Sequence, residues 1–135
     1  MTEKVIIVGG NAGGASCAAR LRRMDEGAEI IVFERGKHVS WANCGLPYYV
    51  GDIIEDREQL ILNSPEDIGR RFDLDIRTES EVFDLDTDRK EVSVKKGDDG
   101  EEYRESFDKL ILSPGAEPIV PPIDGLEEVE NVFTI

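Results

Sequence analysis

Cys44 stands in the most distinctive stretch of the sequence, Ser40-Trp41-Ala42-Asn43-Cys44-Gly45-Leu46-Pro47-Tyr48-Tyr49. A cysteine does nucleophilic or redox chemistry when it is accessible and held as thiolate. Asn43 to about Tyr49 reads as the start of a short helix, and the positive end of the peptide dipoles there favours thiolate. The stretch holds no second cysteine, and position 49 is Tyr. A thiolate without a resolving partner has three uses. It can form a mixed disulfide with a small thiol, cycle through a sulfenic acid, or carry a persulfide. The bland alternative is an inert, buried cysteine. Cys17, among small residues of a helical stretch, reads as core packing.

A second constellation lies upstream. Gly9-Gly10-Asn11-Ala12-Gly13-Gly14 follows a short apolar run and opens a helical pattern. Such a turn admits pyrophosphate, because glycines let the backbone approach and free N–H groups and the helix dipole meet the anion. A strict G-x-G-x-x-G motif needs glycine at 9, 11 and 14. Position 11 is Asn, the residue that best replaces Gly in the left-handed region, so the turn is expected to survive. Glu34 closes the next apolar run about 20 residues on, where a carboxylate accepts from ribose hydroxyls. The motif alone does not separate NAD from FAD. A plain packing turn is the simpler reading, and the ordered context argues against it.

The elements that must position these groups follow from periodicity. Lys4–Val8 and Glu29–Glu34 read as buried parallel strands, joined by a helix from about Gly13 to Asp25, one βαβ unit over about 1–36. The Cys44 loop and two short helices fill 37–72. Ser64-Pro65-Glu66-Asp67 is an N-cap with Pro at the first helical position, predicting a helix to about Arg71. From Asp75 to 108 partial alternation and turn residues predict an antiparallel meander, with Gly97-Asp98-Asp99-Gly100 as one turn. Lys109–Leu112 returns as a buried strand and runs into a Pro-Gly turn within 109–122. Val132–Ile135 begins another apolar run, expected to leave an exposed edge. The fold class is α/β, a Rossmann-like βαβ unit with a parallel sheet plus a β-meander.

At 135 residues the chain is long enough for a substantial core. Thirty acids against 16 bases give a net charge of −14, which argues against nucleic acid and anionic membrane as partners. The charge is uneven. Residues 1–50 hold five acids and six bases, so the excess acid lies beyond them and reads as a solvated surface. No apolar run reaches transmembrane length, and two cysteines do not make a disulfide scaffold. A cytoplasmic protein is expected. His38 has no spaced ligand partners, so no metal site is expected.

Leu110-Ile111-Leu112-Ser113-Pro114-Gly115-Ala116 resembles the second flavin signature of flavoproteins that bind two dinucleotides. The Cys44 segment resembles the active-site segment of coenzyme A-disulfide reductases and their relatives, the single-cysteine NADH oxidases, peroxidases and persulfide reductases. These belong to the FAD-dependent pyridine nucleotide–disulfide oxidoreductases. Members with a cysteine pair place the second cysteine where Tyr49 stands here. The resemblance runs along the whole chain, through Gly9–Gly14, Glu34, Ser64-Pro65-Glu66, Tyr103–Phe107 and Ser113–Ala116.

The resemblance implies FAD held by Gly9, Asn11, Ala12, Gly13, Gly14, Glu34, Arg35, Val82, Ser113 and Gly115. NAD(P)H is the implied electron donor, and Cys44 the implied catalytic residue. Coenzyme A disulfide, or another small thiol or disulfide, is the implied substrate. Ser16, Arg20 and Arg23, spaced to share one helix face, would bind it with Ser40, Asn43 and Arg71. His38, Trp41 and Tyr48 read as packing residues. The resemblance also implies an NAD(P)H domain and a dimerisation domain that this sequence does not contain. The chain then covers the first half of a split FAD domain of a homodimer, and is expected to be inactive alone.

Overall fold

The computed structural model describes residues 2–97 and 100–134. Four strands form a parallel sheet: β1 (Lys4–Val8), β2 (Glu29–Phe33), β3 (Asp75–Arg77) and β7 (Lys109–Leu112), in the order β3-β2-β1-β7. Three more form an antiparallel meander: β4 (Ser80–Asp86), β5 (Glu91–Lys96) and β6 (Glu102–Ser106). The helices are α1 (Ala12–Met24), α2 (Leu46–Val50) and α3 (Pro65–Phe72). Short 3₁₀ turns cover Asn43–Gly45, Arg57–Leu60 and Leu126–Glu128.

The central strands β1 and β2 are apolar along their length because both faces of the sheet are covered there. Val5 and Ile7 of β1, with Ile30 and Val32 of β2, pack under α1 and α3 against Ala18, Ile68 and Leu74. Ile6, Ile31 and Phe33 point to the opposite face and meet Val92 and Val94 of β5. The period of two along each strand thus feeds two cores from one run of residues. The expected βαβ unit is present, with α1 starting at Ala12 and ending at Met24. Ser64 caps α3 as its sequence suggests, its Oγ accepting from the Asp67 N–H at 3.1 Å.

The start of the meander differs from expectation, and the apolar end at Val132–Thr134 holds in its exposure but not as a strand. The meander begins at Ser80, not Asp75, because Asp75–Arg77 pairs in parallel with Ile31–Phe33. Arg77 explains the charged composition of β3. Its guanidinium donates to Asp75 Oδ2 at 2.6 Å and Glu105 Oε2 at 2.7 Å, and lies 5.4 Å from the Phe33 ring centre. Lys4 Nζ also pairs with Glu105, so one carboxylate ties β6 to β1 and β3. Val132–Thr134 forms no strand, and Phe133 is 83% exposed. An apolar run becomes a strand only where a neighbour supplies hydrogen bonds and cover, and none of the described residues does so here. Ile135, and Asp98 and Asp99 of the expected turn, lie outside the described residues.

Among the described residues no helix is long and apolar enough to cross a membrane. No group of three or more His, Cys, Asp or Glu side chains there is placed to hold a metal ion.

Candidate functional site

The carboxyl ends of β1 and β7 bring two turns into backbone contact. Gly9 has φ +99°, and a Cβ on it would lie 2.0 Å from the Ser113 carbonyl oxygen. A Cβ on Gly14 would lie 1.7 Å from the Gly9 carbonyl oxygen. One on Gly13 would lie 2.4 Å from Ser113 Oγ. These three glycines exist for close approach between turn, helix and return strand. The turn is also tied down. The Gly9 N–H donates to the Phe33 carbonyl at 2.8 Å, and the Ser113 N–H to the Val8 carbonyl at 2.8 Å.

Asn11 corrects the sequence-based expectation. Its φ of −91° and ψ of −151° are extended, not left-handed, and Gly9 supplies the positive φ instead. Asn11 is the N-cap residue of α1 but makes no capping bond. Its Oδ1 is buried without a hydrogen-bond partner. Leaving a buried polar atom unsatisfied costs about 1–3 kcal/mol. Rotating the amide would present its N–H groups to an anion in the turn.

Glu34 lies just past β2 and organises the loops. Its Oε2 accepts from the Gly10 N–H at 2.8 Å and its Oε1 from the Gly36 N–H at 2.8 Å. Each oxygen keeps a lone pair for a hydroxyl donor. Beside it opens a cavity of about 330 Å³ lined by Gly9, Asn11, Glu34, Arg35, Ser113 and Gly115. Lys37, His38, Trp41 and Arg57 also line it. A smaller cavity of about 110 Å³ shares Gly9, Glu34 and Arg35 and adds Phe33 and Val82. Six of the ten residues expected at a cofactor therefore line the larger cavity, and Val82 lines its neighbour. Ala12, Gly13 and Gly14 form the first turn of α1 next to it. Backbone N–H groups, an acceptor carboxylate, an orphaned amide and three cations suit a dinucleotide with its pyrophosphate at the glycine turn.

Cys44 occupies the 3₁₀ turn Asn43–Gly45, which runs directly into α2. Its side chain is exposed, so the inert buried reading does not apply. The turn is held from below. The Gly45 N–H donates to the Ala42 carbonyl at 2.9 Å, and a Cβ on Gly45 would lie 2.5 Å from Leu60 Cδ2. Leu60 is 1% exposed and plugs the space that a side chain at 45 would need. A short antiparallel tie fixes the register. The Ala42 N–H donates to Leu60, and the Leu62 N–H to Ser40. Ser40 adopts φ +57°, and its N–H reaches the Gly10 carbonyl at 3.4 Å. The cysteine turn and the phosphate turn are thus one connected scaffold.

The remaining expected residues are placed less tightly. Ser16, Arg20 and Arg23 are exposed on α1, and Asn43 is exposed beside Cys44. Neither Arg20 nor Arg23 makes an ion pair among the described residues. Arg71 is exposed on α3, its Cζ 5.3 Å from the Phe72 ring centre, and it lines neither cavity. Cys17 is half-buried and belongs to neither core. Lys37, His38, Trp41 and Arg57 were not expected at the larger cavity. Lys37 follows Glu34 closely enough to have been suspected. Arg57 carries no local signal, because the tie between 40–42 and 60–62 brings it in.

A glycine turn on a parallel strand, a carboxylate just past the next and an exposed cysteine thus share one scaffold. The chain belongs to the pyridine nucleotide-disulphide oxidoreductase family, whose model matches residues 3–135. Coenzyme A disulfide reductase of Staphylococcus aureus (strain COL) is 43% identical over 113 residues, covering 84% of this chain and 26% of the relative. The structure of reduced Bacillus anthracis CoADR-RHD superposes with a TM-score of 0.90 at 51% identity, over 96% of this chain and 23% of that one. A NAD-dependent persulfide reductase from A. fulgidus superposes with a TM-score of 0.85 at 37% identity, over 92% of this chain and 23% of that one. The chain therefore spans about a quarter of the length of the curated relatives it matches.

Proposed function

We propose that this chain is the cysteine-bearing, FAD-binding portion of an NAD(P)H-dependent disulfide reductase that acts on coenzyme A disulfide. The observation that carries the reading is Cys44, exposed and without a cysteine partner in its segment, on the scaffold that also forms the dinucleotide trough. Similarity to a coenzyme A disulfide reductase supports the substrate.

The chain's own residues divide the work. The glycine turn and Asn11 receive the pyrophosphate, and Glu34 accepts from ribose hydroxyls while holding Gly10 and Gly36. Val82 and Arg35 border the adenosine end. Ser113 and Gly115 close the far wall. When bound, FAD supplies the two electrons, taken from NAD(P)H, that regenerate the thiolate. Cys44 attacks one sulfur of the substrate. The substrate S–S bond breaks, one thiolate leaves, and a mixed disulfide remains on Cys44. Two electrons and one proton then release the second thiol and restore Cys44. Ser16, Arg20, Arg23, Ser40 and Asn43 hold the phosphorylated substrate, with Arg71 as an outer cation.

Steady-state turnover of coenzyme A disulfide by the full-length protein tests the reading. Cys44→Ser is expected to abolish turnover while the flavin stays bound, and full activity in that variant would overturn the role of Cys44. The likeness to a persulfide reductase favours one second reading, in which the same thiolate carries a persulfide. Faster turnover with a persulfide than with coenzyme A disulfide would select it. Inactivity of the 135-residue chain alone is part of the proposal, checked by NADH consumption with and without the remainder of the protein.

A further inference from the structure

Arg57 is the most unusual residue of the larger cavity. It lies outside the βαβ unit, on a 3₁₀ turn after the cysteine segment, yet it shares a wall with Gly9 and Asn11. Its Cζ sits 5.0 Å from the centre of the Trp41 ring. Trp41 stacks in turn on His38, with ring centres 6.2 Å apart and planes at 28°. The placement is built rather than incidental. Trp41 bridges to Ile61, the Ala42 N–H donates to Leu60, and Asp56 caps the turn by accepting from the Glu58 N–H at 2.9 Å.

Two carboxylates at this layer, Asp56 and Glu34, already accept backbone N–H groups. Arg57 makes no hydrogen bond or ion pair among the described residues. A guanidinium stacked by its face keeps all its N–H donors in the plane of its edge, the geometry that suits bidentate contact with phosphate oxygens. Trp41 removes much of the rotamer freedom that a free arginine would lose on binding.

We propose that Arg57, oriented by Trp41, is a pyrophosphate-binding residue of this site, contacting the dinucleotide from the side opposite its glycine turn. The inference rests on the dinucleotide reading above and adds to it a specificity contact that the phosphate motif does not contain. It also gives Trp41 and His38 a role, as the layer that positions the cation.

The test measures dissociation constants of the flavin-free full-length protein for FAD, ADP, adenosine and coenzyme A by titration calorimetry. The variants are Arg57→Met, which keeps an apolar stack on Trp41 without charge, and Arg57→Lys, which keeps the charge. Loss of a charge-assisted contact predicts FAD and ADP binding about tenfold weaker in Arg57→Met, with adenosine unchanged. Arg57→Lys is expected within about threefold of the parent, since charge remains but the fork is lost. The salt dependence of FAD binding is expected to be shallower in Arg57→Met. Equal FAD affinity in parent and Arg57→Met overturns the proposal while leaving the dinucleotide reading intact. Equal losses for ADP and adenosine overturn it in favour of a steric wall. A loss confined to coenzyme A overturns it in favour of the substrate. A parent protein that binds neither FAD nor ADP overturns both readings together.

Discussion

Gly14→Ala is the sharpest perturbation of the phosphate turn. Two effects of the new methyl oppose each other. In an ordinary helix position, alanine is favoured over glycine by at most about 1 kcal/mol. Here the methyl would lie 1.7 Å from the Gly9 carbonyl oxygen and 3.2 Å from Ile7 Cγ2. Real contacts to a Cβ essentially never fall under 3.0 Å, so backbone must move by more than 1 Å. Neither side can yield freely. Gly9 is bonded to Phe33 and crowded by Ser113, while α1 is seated through the buried Ala18. Overpacking against fixed neighbours costs up to about 3 kcal/mol, which leaves a net loss near 2 kcal/mol. For a domain of this size that is a fall of about 8 °C in thermal midpoint, read by circular dichroism. Gly27→Ala is the control, because its methyl would meet Asp25 Oδ1 at an ordinary 3.5 Å. It is expected to be near neutral. A Gly14→Ala protein as stable as the parent would refute the close approach of helix and turn.

Two further substitutions probe other parts of the account. Glu34→Gln keeps one acceptor oxygen but turns an N–H group toward Gly10 or Gly36. It is expected to cost about 1–3 kcal/mol of stability and at least tenfold in FAD affinity, checked by thermal melting and flavin retention. Glu105→Gln tests the charge tie between meander and sheet. Burial pushes the Glu105 carboxyl up, but hydrogen bonds from Lys4 and Arg77 outweigh it and hold the group below its ordinary 4.5. A carboxyl lowered by folding stabilises the protein above its unfolded value and loses that stabilisation as pH falls through the folded one. Glu105→Gln is therefore expected to be about 1–2 kcal/mol less stable at pH 7, and the gap should narrow as pH falls below the group's ordinary 4.5 and through its lower folded value. A gap that persists at low pH would contradict the charge origin.

Much of this architecture was legible because parallel strands write continuous apolar runs, although the return strand Lys109–Leu112 proves half-buried rather than buried, with Leu112 59% exposed. Lys4–Val8, Glu29–Phe33 and Lys109–Leu112 are such runs, and Glu34 sits where the second one ends. The place of Cys44, exposed at a turn that leads into a short helix, was legible from its flanks. Three things were not. Asp75–Arg77 looks polar because its charges are neutralised by one another and by Glu105, which is far away in sequence. Asn11 suggested a left-handed residue by type, yet the neighbouring glycine took that conformation. The layer of His38, Trp41 and Arg57 depends on a long-range tie through Leu60 that no local pattern announces.

The central claim is that Cys44 alone carries the substrate's sulfur. Intact-mass and peptide mass spectrometry of the full-length protein treated with coenzyme A disulfide tests it most directly. The account predicts one coenzyme A adduct per chain, located on Cys44 and absent from Cys17, which disappears when NAD(P)H is added. An adduct that maps to Cys17, or an unmodified Cys44 in a protein still turning over coenzyme A disulfide, would contradict it.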